Sequence, residues 1–341
     1  MVCKARVSVL GTFVFASSKD RKLLFLRLRN FIHTRLVIVA VAYLQPKDYV
    51  LTVPESTRST ESDAFAYTRW LATHHYENFQ VVSYLLPKHL HQDFYNVYSF
   101  CRWADDLGDE MGDTQESLRL LVWWRGELEA MYEGVASHPV FVALKTTVEK
   151  CAIPMEPFDR LIRAFVQDQT ISRYSNMDEV FAYCVNSANP VGHLVLYLAG
   201  YSDVERQHLS DYTCTALQLA NFWQDITVDL KKDRVYLPLD LFAKHDYFVD
   251  ELFALKFNDR FRSVMVEAVA VADEQFRKGL PLIRMVDRRL SLDLDLFSRG
   301  GMKVLDKIRD QNYDVLSRRP HISKAERVGV LLRCLPRLLA V

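Results

Sequence analysis

The sequence predicts an all-α protein, and three observations carry that reading. From Ala64 onward apolar residues recur three and four positions apart, only 11 glycines occur in 341 residues, and no stretch sustains the apolar/polar alternation of a strand. Half of the residues are hydrophobic, enough for a substantial core, and no linker or short repeat follows residue 64, so one domain of packed helices is the simplest organisation. Lys plus Arg and Asp plus Glu both number 43, which gives no reason to expect nucleic acid as a partner. The six cysteines lack C-x-x-C or zinc-like spacing and read as reduced, mostly core thiols of a cytoplasmic protein.

Taken in order, residues 1–60 differ from the rest. Basic residues interleave with Val, Leu and Phe, and "QPKDYVLTVPESTRSTESD" follows, so this stretch reads as a poorly structured N-terminal extension ahead of a helical domain over 61–341. A signal peptide built on "VSVLGTFVFA" is the rival, opposed by the disulfide-free body. The run "LVIVAVAYL" at 36–44 is shorter than the roughly 18–20 residues a spanning helix needs. Peripheral membrane contact, through this stretch or the tail "RVGVLLRCLPRLLAV", is a further reading. Pro87, Pro154, Pro190, Pro238 and Pro281 mark helix ends, while Gly192, Gly200, Gly300 and Gly301 mark breaks or close contacts. His74, His75, His89 and His91 straddle Pro87 with no carboxylate pattern and read as capping or solvated; Gly300 and Gly301 lack a phosphate-loop consensus and read as packing residues.

Two stretches carry chemistry. In "YSFCRWADDLGDE", 98–110, a helix places Tyr98, Arg102, Asp105 and Asp109 within an arc of about 60°, with Asp106 beside them. In "ALQLANFWQDITVDLKKDRVYLP", 216–238, Gln218, Asn221, Asp225 and Asp229 share about 80° of a second helix. Carboxylates grouped among Phe100, Trp103, Phe222 and Trp223 repel one another, raise one another's pKa and need compensation. Two compensations stand open: a structural ion-pair network through Arg102, Lys231, Lys232 and Arg234, or Mg²⁺, a hard cation that takes a few carboxylate oxygens and bridges them to phosphates. Zinc or iron fits less well without His or Cys, and no Glu-x-x-His motif marks a di-iron bundle. The magnesium reading makes Asp105, Asp109, Asp225 and Asp229, with Asn221 on the same stripe, the ligand set.

These stretches resemble the two aspartate-rich motifs of the squalene/phytoene synthase family, over roughly residues 64–335. Within it, "HYENFQVVSYLLP" (75–87), "YCVNSANPVGHLVLYLAGY" (183–201), the "NFWQD" form of the second motif and "LFSRGGMKVLDKIRDQNYDVLSRRP" (296–320) resemble the bacterial hydroxysqualene synthases of the hopanoid pathway. The resemblance implies a single-domain isoprenoid-synthase fold, of the head-to-head prenyltransferase type, around a central apolar cavity. It implies Mg²⁺-dependent loss of diphosphate from presqualene diphosphate and capture of the carbocation by water, giving hydroxysqualene, between a presqualene diphosphate synthase and a hydroxysqualene reductase. Asp105, Asp109, Asp225, Asp229, Tyr98 and Arg102 would be catalytic; Asn78, Phe79, Tyr183, Gln218, Asn221, Arg234 and Tyr236 would bind substrate. The expected lining comprises Phe79, Tyr98, Phe100, Tyr183, Val185, Val191 and Leu219. Tyr98, Tyr183 and Trp223 are candidates to stabilise a passing cation, and Asn186 and Asn189 are weaker candidates beside Gln218 and Asn221 to hold the water.

The chain departs from the family pattern at Gln224 and Val228, where arginine and glutamate are usual, and at Tyr76 and Asn78, where many relatives carry a serine pair. These changes weigh against two-substrate condensation and leave the aspartates intact. The rivals are a squalene or phytoene synthase and a non-catalytic assembly protein of the same fold; complete aspartate pairs argue against the latter.

Overall fold

The computed structural model describes residues 43–53, 58–74, 87–323 and 325–330. Helices dominate them, as the periodicity predicts: α1 (Pro46–Thr52), α2 (Glu61–His74), α3 (His91–Asp109), α4 (Thr114–Tyr132), α5 (Pro139–Cys151), α6 (Glu156–Gln167), α7 (Met177–Ser187), α8 (Asn189–Leu198), α9 (Val204–Asp229), α10 (Leu239–Lys244), α11 (Val249–Phe253), α12 (Asp259–Gly279) and α13 (Arg288–Asp310). Among the described residues no strand forms, and one isolated parallel bridge joins Arg173 to Val235. No described helix is long and apolar enough to cross a membrane. α1 falls inside the stretch that reads as poorly structured: Tyr49 is buried there with its ring 5.3 Å from Trp103, so tertiary packing orders a segment whose own composition argues for none. Residues 1–42 lie outside the described residues.

Helix starts are set by side chains that accept otherwise orphaned backbone N–H groups. Asp113 takes the N–H of Gln115, Asn176 that of Glu179, Asp203 that of Arg206 and Asn258 that of Phe261, each at 3.0 Å. Pro139, Pro157 and Pro190 sit in first turns, where no N–H is missed. Pro238 immediately precedes α10, and Pro281 sits in the 3₁₀ turn Leu280–Arg284.

Two apolar assemblies hold these helices. Around α3, the Trp103 and Trp124 rings stack 4.9 Å apart at 6°, Phe100 meets Phe158 edge-on at 4.9 Å, and Trp103 Nε1 donates to the Tyr67 hydroxyl at 3.0 Å. His138 stands edge-on 4.4 Å from Trp103, and burial pushes its imidazole down to about 3, so it packs as a neutral ring. Around α9 and α12, Trp223 is fully buried and donates to the Ala268 carbonyl at 3.0 Å, among Phe261, Met265 and Phe276. α13 closes over this layer at Gly301, where a Cβ would fall 2.3 Å from the Phe276 ring; Gly301 thus serves close packing. α13 runs in the same direction as α9: Leu290 shares a cluster with Leu209, Gly301 meets Leu217, and Arg319 beyond its end meets Asp225.

Candidate active site

Trp103, Ala104 and Leu107 are wholly buried on the core side of α3, which turns Arg102, Asp105 and Asp109 toward the opposite side. Arg102 Nη1 lies 2.5 Å from Asp105 Oδ2 and 3.4 Å from Asp106 Oδ1. Asp106 is almost fully buried, and burial, offset in part by Arg102, pushes its carboxyl up to about 7. Asp109 accepts from Lys232 Nζ at 2.5 Å and from Arg234 Nη2 at 3.1 Å, so the chain just past α9 is drawn onto the end of α3. Burial opposes ionisation of Asp109, but the two cations outweigh it and hold the carboxyl below its ordinary value. A left-handed residue, Asp233 at φ 55°, ends the turn Leu230–Lys232 and is tied by Arg173 Nη2 at 2.5 Å.

On α9, Asp225 accepts both arms of Arg319, with Nη2 to Oδ2 at 3.0 Å. Asp229 has no ion pair among the described residues. Burial first, then the charges of Asp225 and Asp109, push its carboxyl up to about 7, which places the two motifs within each other's field. Among the described residues no three carboxylate, histidine or cysteine groups converge as a ready-made cluster, because basic side chains hold most of these carboxylates.

Two members of the site were not expected from sequence. Asp168, just past α6, accepts from the Tyr183 hydroxyl at 2.9 Å, and burial lifts its carboxyl to about 6 against the pull of Arg234. Arg319 is the other; it stands in "SRRP", where nothing local separates it from Arg318.

Of the expected site residues, Asp105, Asp109, Asp225, Asp229, Arg102 and Arg234 gather at this mouth. Asn78 and Phe79 lie outside the described residues. Lys231 is exposed and joins no ion pair among the described residues, so Lys232 and Arg234 supply the charge expected of the three. Gln218 is half-buried, and Asn221 is exposed one turn before Asp225. Asn189 is buried and accepts from Thr215 at 3.0 Å. Tyr236 stacks on Phe222 at 3.7 Å and 7°, and Tyr183 packs beside both, forming an aromatic layer next to the acidic groups. Trp223 belongs to the α9/α12 core and not to a cation-facing wall.

A cavity of about 680 Å³ runs inward from Arg102 and Asp105. Its walls are mostly apolar, with Phe94, Leu161, Leu194, Leu217 and Phe297 from five helices. Tyr98 and Val191 line it as expected. Phe100, Tyr183 and Leu219 do not: each is packed into a core cluster, one helical step from the lining face, and Val185 is exposed. One polar group interrupts the wall. Asp293 of α13 is 4 % exposed, its Oδ2 has no hydrogen-bond partner, and burial, with Asp287 adding to it, pushes the carboxyl up to about 7.

This has a measurable consequence for stability. The carboxyl binds its proton more tightly folded than unfolded, so wild-type stability falls as pH rises from about 4 through about 7. Asp293→Asn, neutral throughout, gains on wild type over that window, by on the order of 4 kcal/mol at most. Urea unfolding at pH 5 and pH 8 measures it; parallel behaviour of the two proteins would contradict the buried, unpaired carboxyl.

A sequence model of the squalene/phytoene synthase family matches residues 72–326. The chain is 32 % identical over 274 residues to the phytoene synthase of Thermus thermophilus, covering 80 % of this chain and 92 % of that protein. Among solved structures it is similar to the squalene synthase HpnC of Alicyclobacillus acidocaldarius, with 42 % identity, a TM-score of 0.71, and coverage of 74 % of this chain and 95 % of that one. A dehydrosqualene synthase solved with a ligand, at 21 % identity and TM-score 0.73 over 82 % of this chain and 98 % of that one, shares the fold. With the helical cavity and both aspartate-rich helices in place, the chain belongs to the squalene/phytoene synthase family.

Proposed function

We propose that the protein is a hydroxysqualene synthase, converting presqualene diphosphate and water into hydroxysqualene and diphosphate. The observation that carries the proposal is an apolar cavity that opens at Arg102 and Asp105, beside aspartates of both motifs that are rimmed by basic side chains. A half-buried carboxyl at Asp229, in no ion pair among the described residues and beside Asp225 and Asp109, calls for a further cation, and an all-oxygen donor set suits a hard one. Asp105, Asp109, Asp225 and Asp229 would hold Mg²⁺, which as a Lewis acid supplies stabilisation of the departing diphosphate. Arg102, Lys232, Arg234 and Arg319 neutralise the remaining phosphate charge once they exchange carboxylate partners for it. The apolar walls keep bulk water from the rearranging cation, and Tyr98 offers it a ring face.

Likeness to the squalene synthase HpnC supports this branch. Likeness to phytoene synthases supports a second reading, condensation of two prenyl diphosphates. Incubation with Mg²⁺ and presqualene diphosphate, in parallel with farnesyl or geranylgeranyl diphosphate alone, separates them by mass analysis of the lipid extract. Hydroxysqualene from the first and no C30 or C40 product from the others is expected, with all turnover abolished by a chelator. Presqualene diphosphate, squalene or phytoene formed from the linear substrates would assign the condensing activity instead.

A further inference from the structure

We propose that Asp293 limits the length of the prenyl arm the cavity accepts, forming with Ser210 a hydrated polar floor at which a farnesyl-derived arm ends. This rests on the prenyl diphosphate reading above and narrows its substrate class to arms built from C15 units.

The placement comes from the helices. Ser210, Thr213 and Asp293 line the same cavity as Arg102 and Asp105. Ser210 precedes Asp225 by fifteen residues on one continuous helix, so it lies about 22 Å back from the acidic mouth along the α9 axis. Asp293 belongs to the same deep region, since Leu290 on its helix is part of a buried cluster against which both Leu294 and Leu209 pack. A farnesyl chain has a twelve-carbon backbone and, at about 1.5 Å per bond, extends on the order of 15 Å. Its diphosphate and the side chains that hold it take up the rest of that depth. One more isoprene unit would drive methyl groups onto the carboxyl.

A carboxyl in an apolar wall, with Oδ2 unpartnered, is satisfied by water if other polar groups can share it. Ser210, nearly buried, places its hydroxyl against Gly192 of the same cavity wall, whereas the Thr213 hydroxyl packs against Gly279. An alkyl chain pushed into this floor displaces that water and returns no hydrogen bond, so a longer arm binds more weakly. Polarity at 293, and not bulk, is what refuses it.

Titration of the purified full chain with the unreactive analogues farnesyl thiodiphosphate and geranylgeranyl thiodiphosphate, in Mg²⁺ and by calorimetry, tests this without requiring turnover. Wild type is expected to prefer the C15 analogue about tenfold or more. Asp293→Leu, similar in size but apolar, should lose that preference, while Asp293→Asn should retain it. Equal affinity of wild type for both analogues, or an unchanged preference in Asp293→Leu, would overturn the role of Asp293 and leave the prenyl diphosphate reading standing. Failure of both analogues to bind wild type would overturn the role of Asp293, and the prenyl diphosphate reading falls with it only if presqualene diphosphate is not turned over either.

Discussion

Replacing Asp229 with alanine is expected to lower kcat/KM for prenyl diphosphate turnover by about 100-fold or more, and at the same time to raise resistance to urea. The two effects have one cause. Asp229 has no ion-pair partner among the described residues, it is held near Asp225 and Asp109, and burial raises its carboxyl to about 7. Such a group destabilises the fold that carries it, so its removal relieves repulsion worth roughly 1 kcal/mol. Its retention is then explained by what it binds. Arg234→Ala provides the contrast: it strips Asp109 of one partner in a partly buried pair and should cost stability as well as activity. Kinetics and urea midpoints on the two variants decide the matter. An Asp229→Ala protein with wild-type turnover would remove this carboxylate from the mechanism.

Trp103→Ala is expected to have the largest effect on stability, about 3–5 kcal/mol. Trp103 is wholly buried, stacks on Trp124 and donates to the Tyr67 hydroxyl. Truncation empties the centre of an aromatic assembly whose neighbours come from α1, α2, α4 and α5, and it removes the hydrogen bond that Trp103 donates to the Tyr67 hydroxyl. Because Asp105 is two residues further along α3, the surviving folded protein should also turn over more slowly. A shift in the urea midpoint corresponding to less than about 1 kcal/mol would mean that the assembly repacks around the loss.

This dependence explains why the acidic run sits among large aromatics. Carboxylates reach the mouth because Trp103 and Leu107 anchor the other face of the same helix turns. That much is legible in sequence, since a period of 3.6 separates the two faces and pairs Asp105 with Asp109 and Asp225 with Asp229. The approach of the two motifs was legible only in outline. It depends on the turn at Asp233 that swings Lys232 and Arg234 onto Asp109, and helical periodicity says nothing about a turn. Asp168 is remote in sequence from both motifs and acts through Tyr183, so no local spacing marks it. Phe100, Leu219 and Trp223 were misplaced because one step around a helix separates a cavity wall from a packed core, and both are apolar. Asp293 was hidden for the opposite reason: in "SLDLDLF" an aspartate reads as a wet helix face, yet here it is buried.

Arg319 clasps Asp225 across 94 residues of chain, and next to it Gln224 Nε2 donates to the Pro320 carbonyl at 2.6 Å. Everything from α10 to the segment after α13 therefore forms one closed loop whose lock is a site carboxylate. Any ligand that competes for Asp225 releases the lock, and thermodynamic reciprocity requires that whatever fastens residues 318–320 weaken that ligand by the same factor. Amide hydrogen exchange in this short segment should thus rise and fall with occupancy of the centre, so a peripheral strand of backbone reports the state of the site without being labelled.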